Sequence, residues 1–233
     1  MATTTPTRGH GLLEAFLARQ RARKADELIP QALREGSILD IGCGSYPTFL
    51  RATRFQRKFG LDRVLSSMTI ARLGAQGICL QSFDADLDDR LPFDDESLSV
   101  VTMLAVYEHL AEPRLRLVLS EVRRVLEPRG VFIMTTPAHW TDPLLSVMAS
   151  VGLISHEELD EHQRSHRHED IKPLLEQAGF GSAGVRMGYF ELGMNLWARA
   201  ERQPSTTASP LWYAPSVGDA RQGLSASAGD SRH

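Results

Sequence analysis

The feature that most constrains the fold is a short apolar run followed at once by two glycines. Residues 38–41 read Ile-Leu-Asp-Ile, which is typical of a buried strand, and Gly42 and Gly44 follow directly. Glycine lets the backbone turn tightly and approach a ligand closely. Pro47 suits the first turn of a helix, whose free N–H groups would face whatever occupies the turn. The segment therefore predicts a strand, a glycine loop and a helix that hold a nucleotide-like molecule at the carboxyl edge of a parallel sheet.

Apolar segments along the rest of the chain alternate between strand-like and helix-like patterns. We expect further strands at 59–61, 78–82, 98–104, 131–136, 184–189 and 194–200. We expect helices at 12–33 (broken at Pro30), 48–58, 66–76, 115–126 and 171–178. This alternation predicts an α/β, Rossmann-like fold. Its seven-stranded sheet is mostly parallel with an antiparallel last strand, and helices cover both faces.

An acidic residue follows the second predicted strand. Asp62 lies about 20 residues beyond Asp40, the separation expected for a carboxylate that binds a ribose. Two vicinal hydroxyls are two donors, and one carboxylate can accept both. An acid at a strand end can instead cap the following turn. We favour the ribose interpretation because Asp62 is correctly spaced from the glycine loop.

The loop itself distinguishes between kinds of nucleotide. A dinucleotide fingerprint requires a third glycine at position 47, where this chain has proline. The sequence instead resembles the class I S-adenosylmethionine-dependent methyltransferases, whose first motif is acid-x-Gly-x-Gly-x-Gly, with Tyr46 replacing the third glycine. The resemblance implies that Asp40 orients the methionine end of S-adenosylmethionine. It also implies that three loop residues bind that end through backbone groups: Gly42, Cys43 and Gly44.

The resemblance extends over residues 37–136. Four acids within six residues precede a Leu-Pro-Phe turn at 91–93, as in the family's adenine-binding segment. This implies that Asp86 accepts from the adenine amino group and that the Leu87 N–H donates to the ring. Asp84 is the alternative register, and a solvated acidic loop is the alternative interpretation. One departure is at Leu98 and Ser99, where family members often carry Phe-Asp.

The segment after the fourth predicted strand resembles the family's apolar-Glu-His-apolar motif beside the transferred methyl group. Leu104 to Val106 would then face the sulfonium, and His109 is a candidate general base. His139 is a second candidate, because it follows the fifth strand. The alternatives are a structural histidine at position 109 and a loop histidine at position 139. Some family members need no base, because their acceptor is already ionised.

Composition excludes several other classes of protein. A formal net charge of -3 and only three lysines give no polyanion-binding surface, so we expect no nucleic acid partner. Two cysteines suggest reduced thiols, and no apolar run reaches membrane-spanning length or forms a signal-peptide core, so we expect a cytoplasmic protein. The chain also lacks Asp/Asn-Pro-Pro-Tyr/Phe, the family's motif for methylating amino groups of bases or of glutamine.

We expect three regions along the chain. Residues 1–36 form a helical segment and 37–202 the cofactor-binding domain, with a lid insertion near 138–170. Residues 203–233 are rich in Ser, Ala, Gly and Pro and are expected to be disordered. Three lid histidines could be metal ligands, but no supporting cysteine or second spaced pair accompanies them, so we expect no metal. They are His162, His166 and His168.

Methyl transfer from a sulfonium is an in-line displacement, so the main task of such an enzyme is positioning. The sequence therefore predicts a methyltransferase that uses S-adenosylmethionine and a small organic acceptor, for example a lipid- or sugar-linked intermediate. A non-catalytic S-adenosylmethionine-binding domain is the alternative, and a NAD-dependent oxidoreductase is a weaker one. The sequence does not predict the oligomeric state.

Overall fold

The computed structural model describes residues 12–138 and 168–204. These residues form an α/β fold around a seven-stranded sheet of order β3-β2-β1-β4-β5-β7-β6. The strands are β1 (Ser37–Ile41), β2 (Arg57–Asp62), β3 (Ile78–Ser82), β4 (Leu98–Leu104), β5 (Leu126–Pro137), β6 (Val185–Phe190) and β7 (Asn195–Glu201). The helices are α1 (Leu12–Leu28), α2 (Thr48–Ala52), α3 (Ser67–Gly74), α4 (Glu112–Val125) and α5 (His168–Gln177). Short 3₁₀ turns span Gln31–Glu35, Tyr107–His109 and Ser182–Gly184.

The strand directions confirm the predicted fold class. Strands β1 to β5 run parallel to one another, whereas β7 is antiparallel to both of its neighbours, β5 and β6. The order of the strands reverses between β1 and β4, because the chain moves outward to β3 and then returns to the centre. Open α/β sheets bind ligands outside the carboxyl ends of their strands at such a switch point. The glycine loop follows β1 at this position.

Apolar side chains cover both faces of the sheet. Along β4, Val100 lies on the face covered by α1, whereas Val101 and Met103 lie on the opposite face. Complete burial of each such side chain contributes roughly 1.5–3 kcal/mol. Helix α1 packs on its face through Ala22, Ala25 and Ile29. Helices α4 and α5 cover the other face through Leu115, Val118, Leu119, Val122, Ile171 and Leu174.

The helix predicted at 48–58 is wrong beyond Ala52. Thr53 takes an extended conformation, and its hydroxyl donates to the Asp26 carboxylate at 2.7 Å. Arg57 and Lys58 then belong to β2, where they pair with the first two residues of β1. These charged residues lie on a solvated part of the strand and give no apolar pattern, so the start of β2 could not be predicted from the sequence.

The fifth strand begins earlier than predicted, at Leu126 rather than at position 131. The sequence Pro-Arg-Gly at 128–130 was expected to separate helix from strand. It instead forms an irregularity within β5, where Arg129 has a φ of +67° and the register with β4 shifts between Leu98 and Val100. Pairing with β4 on both sides of the irregularity keeps this segment in the sheet.

Several sequence predictions fall outside the described residues. The structure gives no account of residues 139–167, which include His139, His162, His166 and most of the predicted lid. The same applies to residues 1–11, to the side chain of His168 and to the predicted tail beyond position 204. Among residues 12–138 and 168–204, no three His, Cys, Asp or Glu side chains are grouped to hold a metal ion. Within the same ranges, no helix has the length and apolar character needed to cross a bilayer.

Candidate active site

The glycine loop is shaped by backbone conformations that favour glycine. Gly42 and Gly44 have φ values of +73° and +69°, in the left-handed region that other residues rarely adopt. A Cβ added at Gly42 would lie 2.2 Å from Cγ2 of Val106. The loop after β1 therefore contacts the segment after β4, and both glycine conformations place backbone groups at the carboxyl edge.

The Asp62 carboxylate fastens this loop to the end of β2. Its Oδ2 accepts from the Gly44 N–H at 2.6 Å, and its Oδ1 accepts from the Val64 N–H at 3.1 Å. The Gly42 N–H donates to the Leu61 carbonyl oxygen at 2.8 Å. An ionised carboxylate has about four lone-pair sites, so Asp62 keeps capacity for further donors. The residue predicted to bind ribose thus holds the glycine loop in shape.

The side chain of Cys43 points into the protein rather than toward the edge. It is buried, and a Cβ added at Gly60 would lie 2.7 Å from its Sγ and 2.6 Å from Cδ2 of Leu80. The small Gly60 in β2 therefore makes room for the thiol. Only backbone groups of Cys43 remain at the loop, and its N–H donates to the Leu61 carbonyl oxygen at 3.1 Å.

Asp40 lies beneath the loop and is buried between β1 and β4. The Thr102 hydroxyl donates to its Oδ1 at 2.7 Å, and the two residues face each other in the strand register. Both side chains are buried. The sequence analysis missed Thr102, although a hydroxyl within the apolar strand 98–104 was a signal that it has a polar partner.

The acidic segment after β3 forms a compact turn organised by Asp84. The Asp84 carbonyl accepts from the N–H groups of Leu87 (3.1 Å) and Asp88 (2.8 Å), and its Oδ1 accepts from the Asp86 N–H at 3.0 Å. Asp86 and Leu87 themselves are exposed. The Leu87 N–H expected to meet the adenine ring thus already has an acceptor, which a ring nitrogen would have to share.

Arg114 in the first turns of α4 clamps this acidic turn. Its Nε donates to the Ala85 carbonyl (3.0 Å), its Nη1 to Asp89 (2.7 Å) and its Nη2 to the Asp88 carbonyl (2.6 Å). Three charge-assisted bonds from one planar group fix the path of the turn. The sequence analysis missed this residue, because only the fold brings α4 beside the segment after β3.

The segment after β4 brings Val106 to the glycine loop and turns His109 outward. Ala105 has a φ of +56°, a strained conformation for a non-glycine residue, and its N–H donates to the Thr135 carbonyl at 2.9 Å. His109 is exposed, whereas Glu108 is buried and its Oε2 has no hydrogen-bond partner in the described part of the chain. Within this motif the glutamate, not the histidine, is the enclosed group.

Tyr107 is completely buried beside this motif. Burial, together with the charges of Asp170 and Glu112, raises the pKa of its phenol well above the ordinary value. The phenol therefore stays protonated at physiological pH and is no candidate for a general base.

Exposed apolar side chains surround the carboxyl edge. Tyr46 follows β1, Val64 and Met68 follow β2, and Leu87 follows β3, and each is at least 60% exposed. The Arg51 guanidinium lies over the Tyr46 ring, 4.6 Å from its centroid. Small-molecule sites are mostly apolar with a few placed polar groups. This edge combines an apolar rim with the Asp62 carboxylate and loop amides.

Comparison with known proteins agrees with this geometry. Residues 39–134 match the family described as "Methyltransferase domain". A "Probable S-adenosylmethionine-dependent methyltransferase" of Mycolicibacterium smegmatis is 33% identical over 144 residues, 61% of this chain and 51% of that protein. The "Uncharacterized methyltransferase YcgJ" of Bacillus subtilis is 30% identical over 114 residues, 48% of this chain and 44% of that protein. The chain thus spans about half the length of these curated relatives.

Solved structures share the fold. An S-adenosylmethionine-dependent methyltransferase from Archaeoglobus fulgidus superposes with a TM-score of 0.59 at 16% identity, covering 79% of this chain and 94% of that chain. An S-adenosylmethionine-dependent methyltransferase from Mesorhizobium loti superposes with a TM-score of 0.56 at 20% identity, covering 79% of this chain and 98% of that chain. Over residues 39–134 the chain is thus similar to methyltransferase domains, and it shares its fold with S-adenosylmethionine-dependent methyltransferases of known structure.

Proposed function

We propose that the protein transfers a methyl group from S-adenosylmethionine to a small organic acceptor. The observation that carries this proposal is the glycine loop at the switch point, which Asp62 holds in shape through the Gly44 N–H. Bound S-adenosylmethionine would supply a methyl group already activated on sulfur. The protein's own task is then to bind, orient and exclude water.

Each predicted cofactor residue has a place in this proposal. Asp62 would accept from the ribose hydroxyls while it holds the loop. Asp40, kept in position by Thr102, would orient the methionine end, which backbone groups of residues 42–44 would bind. Asp86 and Leu87 would meet the adenine ring. Leu104 and Val106 would line the region of the sulfonium, because Val106 already contacts the glycine loop.

The acceptor and the base form the finer part of the proposal. An acceptor that is ionised before it binds needs no base. A neutral acceptor must lose a proton as the methyl group arrives, and His109 and His139 remain the candidates to receive it. The modest net charge of -3 favours a small organic acceptor over a polyanion. A lipid- or sugar-linked intermediate fits this class.

The test is calorimetric titration of the full chain with S-adenosylmethionine, its demethylated product and NAD in parallel. We expect micromolar binding of the first two. Asp62→Ala should weaken both at least tenfold, about 1.4 kcal/mol, because it removes the ribose acceptor and the loop fastening together. Asp62→Asn distinguishes the loss of the ribose acceptor from the loss of the loop contact, since its amide oxygen can still accept from one of the two backbone N–H groups.

Asp94→Ala is the control, because Asp94 lies in an exposed turn before β4, away from the carboxyl ends of the strands, and its carboxylate makes no hydrogen bond among the described residues. No binding of S-adenosylmethionine or its product would overturn the proposal. NAD binding would favour the oxidoreductase. Binding of S-adenosylmethionine without turnover on any acceptor tested would favour a non-catalytic binding domain.

A further inference from the structure

A second polar site lies on the face of the sheet covered by α1. Four side chains there have buried hydrogen-bonding atoms that find no partner among residues 12–138 and 168–204: Arg21 Nε, Thr135 Oγ1, Glu191 Oε1 and Asn195 Oδ1. We call this group the β5–β7 polar cluster. We propose that it binds a hydroxylated, uncharged part of the acceptor, such as a sugar or polyol ring. This inference rests on the proposed methyl transfer, whose acceptor class it specifies.

The strand register brings two members of the cluster to one face. Thr135 in β5 pairs with Trp197 in β7, and Pro137 pairs with Asn195. Residues directly opposite in an antiparallel pair share a face, so Thr135 and Asn195 are diagonal neighbours about 7–8 Å apart. Both side chains are at least nine-tenths buried, at 0% and 5% exposure. Their free oxygens therefore lie inside the protein near the carboxyl end of β5.

Helix α1 brings Arg21 to the same place. Lys24 Nζ lies 5.6 Å from the centroid of the Trp197 ring, which fixes α1 against β7 opposite Thr135. Arg21 lies about one turn earlier along the helix. Burial raises the pKa of Glu191, and the charge of Arg21 opposes this rise, as does the hydrogen bond from Asn195. The guanidinium is thus close enough to Glu191 to act on its charge.

The hairpin turn between β6 and β7 holds Glu191 in a strained conformation. Glu191 and Leu192 have φ values of +52° and +56°, although neither is glycine. The Asn195 side-chain amide donates to Glu191 Oε2, which leaves Oε1 free. The Met194 carbonyl accepts from the Ala138 N–H at 2.8 Å, so the turn is joined to the end of β5. Strain of this kind is retained most often at ligand-binding and catalytic sites.

The charge of the cluster indicates what it binds. Arg21 and Glu191 carry opposite charges, so an uncharged ligand group leaves their balance undisturbed. An ammonium would compete with Arg21 for Glu191, and a carboxylate would compete with Glu191 for Arg21, so either ion would disturb that balance.

The hydrogen-bonding needs of the cluster point to hydroxyl groups. Arg21 Nε requires an acceptor, Glu191 Oε1 and Asn195 Oδ1 require donors, and Thr135 can serve as either. A hydroxyl group both donates and accepts. A ring that carries several hydroxyls offers one such group to each member of the cluster, whereas a single small amide has too few.

The experiment is ligand-observed NMR on the full chain saturated with the demethylated cofactor. The probes are methyl α-D-glucopyranoside and myo-inositol, with choline and acetate as charged comparisons. We expect saturation transfer to both polyols and little to either ion. Thr135→Val should weaken polyol binding at least fivefold. It should also keep or raise the melting temperature, because it replaces an unpartnered buried hydroxyl with a methyl group of similar shape.

Glu191→Gln gives a change of specificity as a second measurement. It removes the negative charge and leaves that of Arg21, so acetate should bind more tightly and the polyols less tightly. Glu201→Gln, at the other end of β7, is the matched control and should bind all four probes as the unmodified chain does.

The outcomes separate this inference from the proposed function. If the demethylated cofactor binds but neither polyol does, or if both variants bind the polyols normally, the cluster is satisfied by water alone and the inference is wrong. Tighter binding of choline than of the polyols also overturns it. If the polyols bind in a cluster-dependent way but the cofactor does not, the polyol site stands and the proposed methyl transfer fails.

Discussion

Gly42 meets two separate constraints at one position. Its φ is +73°, and the space that a side chain would need is occupied by Val106. Alanine in the left-handed region costs roughly 1–2 kcal/mol, and the contact with Val106 adds to that cost. We therefore expect Gly42→Ala to weaken S-adenosylmethionine binding more than tenfold, as measured by calorimetry.

A double variant separates the two constraints at Gly42. Adding Val106→Ala removes the nearest atom but leaves the φ strain, so it should restore part of the lost affinity. Gly74→Ala is the control, because no atom lies within 4 Å of its added Cβ and its φ is not positive. Normal cofactor binding by Gly42→Ala would show that the loop is not at the binding site.

At the scale of residues, the sequence predicted what depends on local spacing. Gly42 and Gly44 were recognisable because two glycines after an apolar strand have few other uses, and the structure confirms the loop they form. Thr102 and Arg114 were not recognised, since each acts on a partner more than 20 residues away along the chain. The place of Ser99 was also clear only in the structure. Its Oγ accepts from the Ser37 N–H at 3.3 Å at the amino end of the sheet, far from the glycine loop along the strands.

The clamp from α4 is the main link between that helix and the predicted adenine turn. Replacing Arg114 by Gln removes three bonds to residues 85–89. The loosened turn should raise the KM for S-adenosylmethionine about threefold to tenfold, equivalent to roughly 1 kcal/mol, while kcat changes little. Steady-state kinetics at varied cofactor concentration would measure both constants.

Arg116→Gln is the control for the clamp. Arg116 pairs with Glu112 on the exposed face of the same helix, so its loss should leave KM unchanged. A large fall in kcat for Arg114→Gln with an unchanged KM would contradict the assignment of the turn to cofactor binding.

A second group on α4 ties the Leu-Pro-Phe turn to the helix. The hydrogen bond from Arg124 is the largest influence on the pKa of the Glu121 carboxyl. It lowers that pKa below the ordinary value of 4.5. The Glu121 Oε2 also accepts from the Leu91 N–H at 2.9 Å. A carboxyl group with a lowered folded pKa binds its proton more weakly in the folded state, so its contribution is complete above about pH 4.5 and is lost as the pH falls through the folded pKa.

Denaturant unfolding between pH 7 and pH 3 tests this contribution. Glu121→Gln should lower the free energy of unfolding at pH 7 by about 2 kcal/mol and should flatten its decrease toward acid. In an Arg124→Gln background the same change should have a much smaller effect, because the partner is already lost. If the free energy of unfolding of Glu121→Gln falls toward acid pH as steeply as that of the unmodified chain, this ion pair is not the source of the decrease.

At the scale of elements, the sequence predicted strands and helices best where apolar residues repeat. The strands β3 and β4 and the apolar face of α4 follow their patterns closely, because one or both faces are buried. The start of β2 and the first part of β5 did not. Arg57 and Lys58 are in the sheet because β1 pairs with them, and the Pro-Arg-Gly segment is in β5 because β4 pairs on both sides of it.

Cofactor binding should stabilise the whole domain, since the site joins the ends of β1, β2 and β4. The demethylated cofactor at one hundred times its Kd should add about 2.7 kcal/mol to the free energy of unfolding. For a chain of this size, that corresponds to a rise in melting temperature of roughly 5–11 °C. Differential scanning fluorimetry would measure this rise.

NAD at the same concentration should leave the melting temperature unchanged, and Asp62→Ala, with its affinity lowered at least tenfold, should reduce the stabilisation by the cofactor product to about 1.4 kcal/mol or less. Equal stabilisation by NAD would indicate a different nucleotide site.

At the scale of the molecule, the mostly parallel sheet followed from the alternation of elements, but the contacts between distant segments did not. The charge of Arg21 acts to lower the pKa of Glu191, although the two residues lie near opposite ends of the described chain. Arg202 similarly bonds to Glu96 at 2.5 Å and to backbone carbonyls at the end of α4. No local pattern encodes such pairs, so the β5–β7 polar cluster could be found only after the chain had been folded.

The place of β7 within the sheet also bears on how the protein is made. β7 lies between β5 and β6, so the outer edge of β5 stays unpaired until residues 195–201 have left the ribosome. That edge belongs to a strand whose residues Val131 to Met134 are completely buried in the finished fold. Unpaired apolar edges attract other chains. A stop codon before position 195 would therefore yield a chain that aggregates or is held by chaperones, rather than a shorter protein with a working cofactor loop.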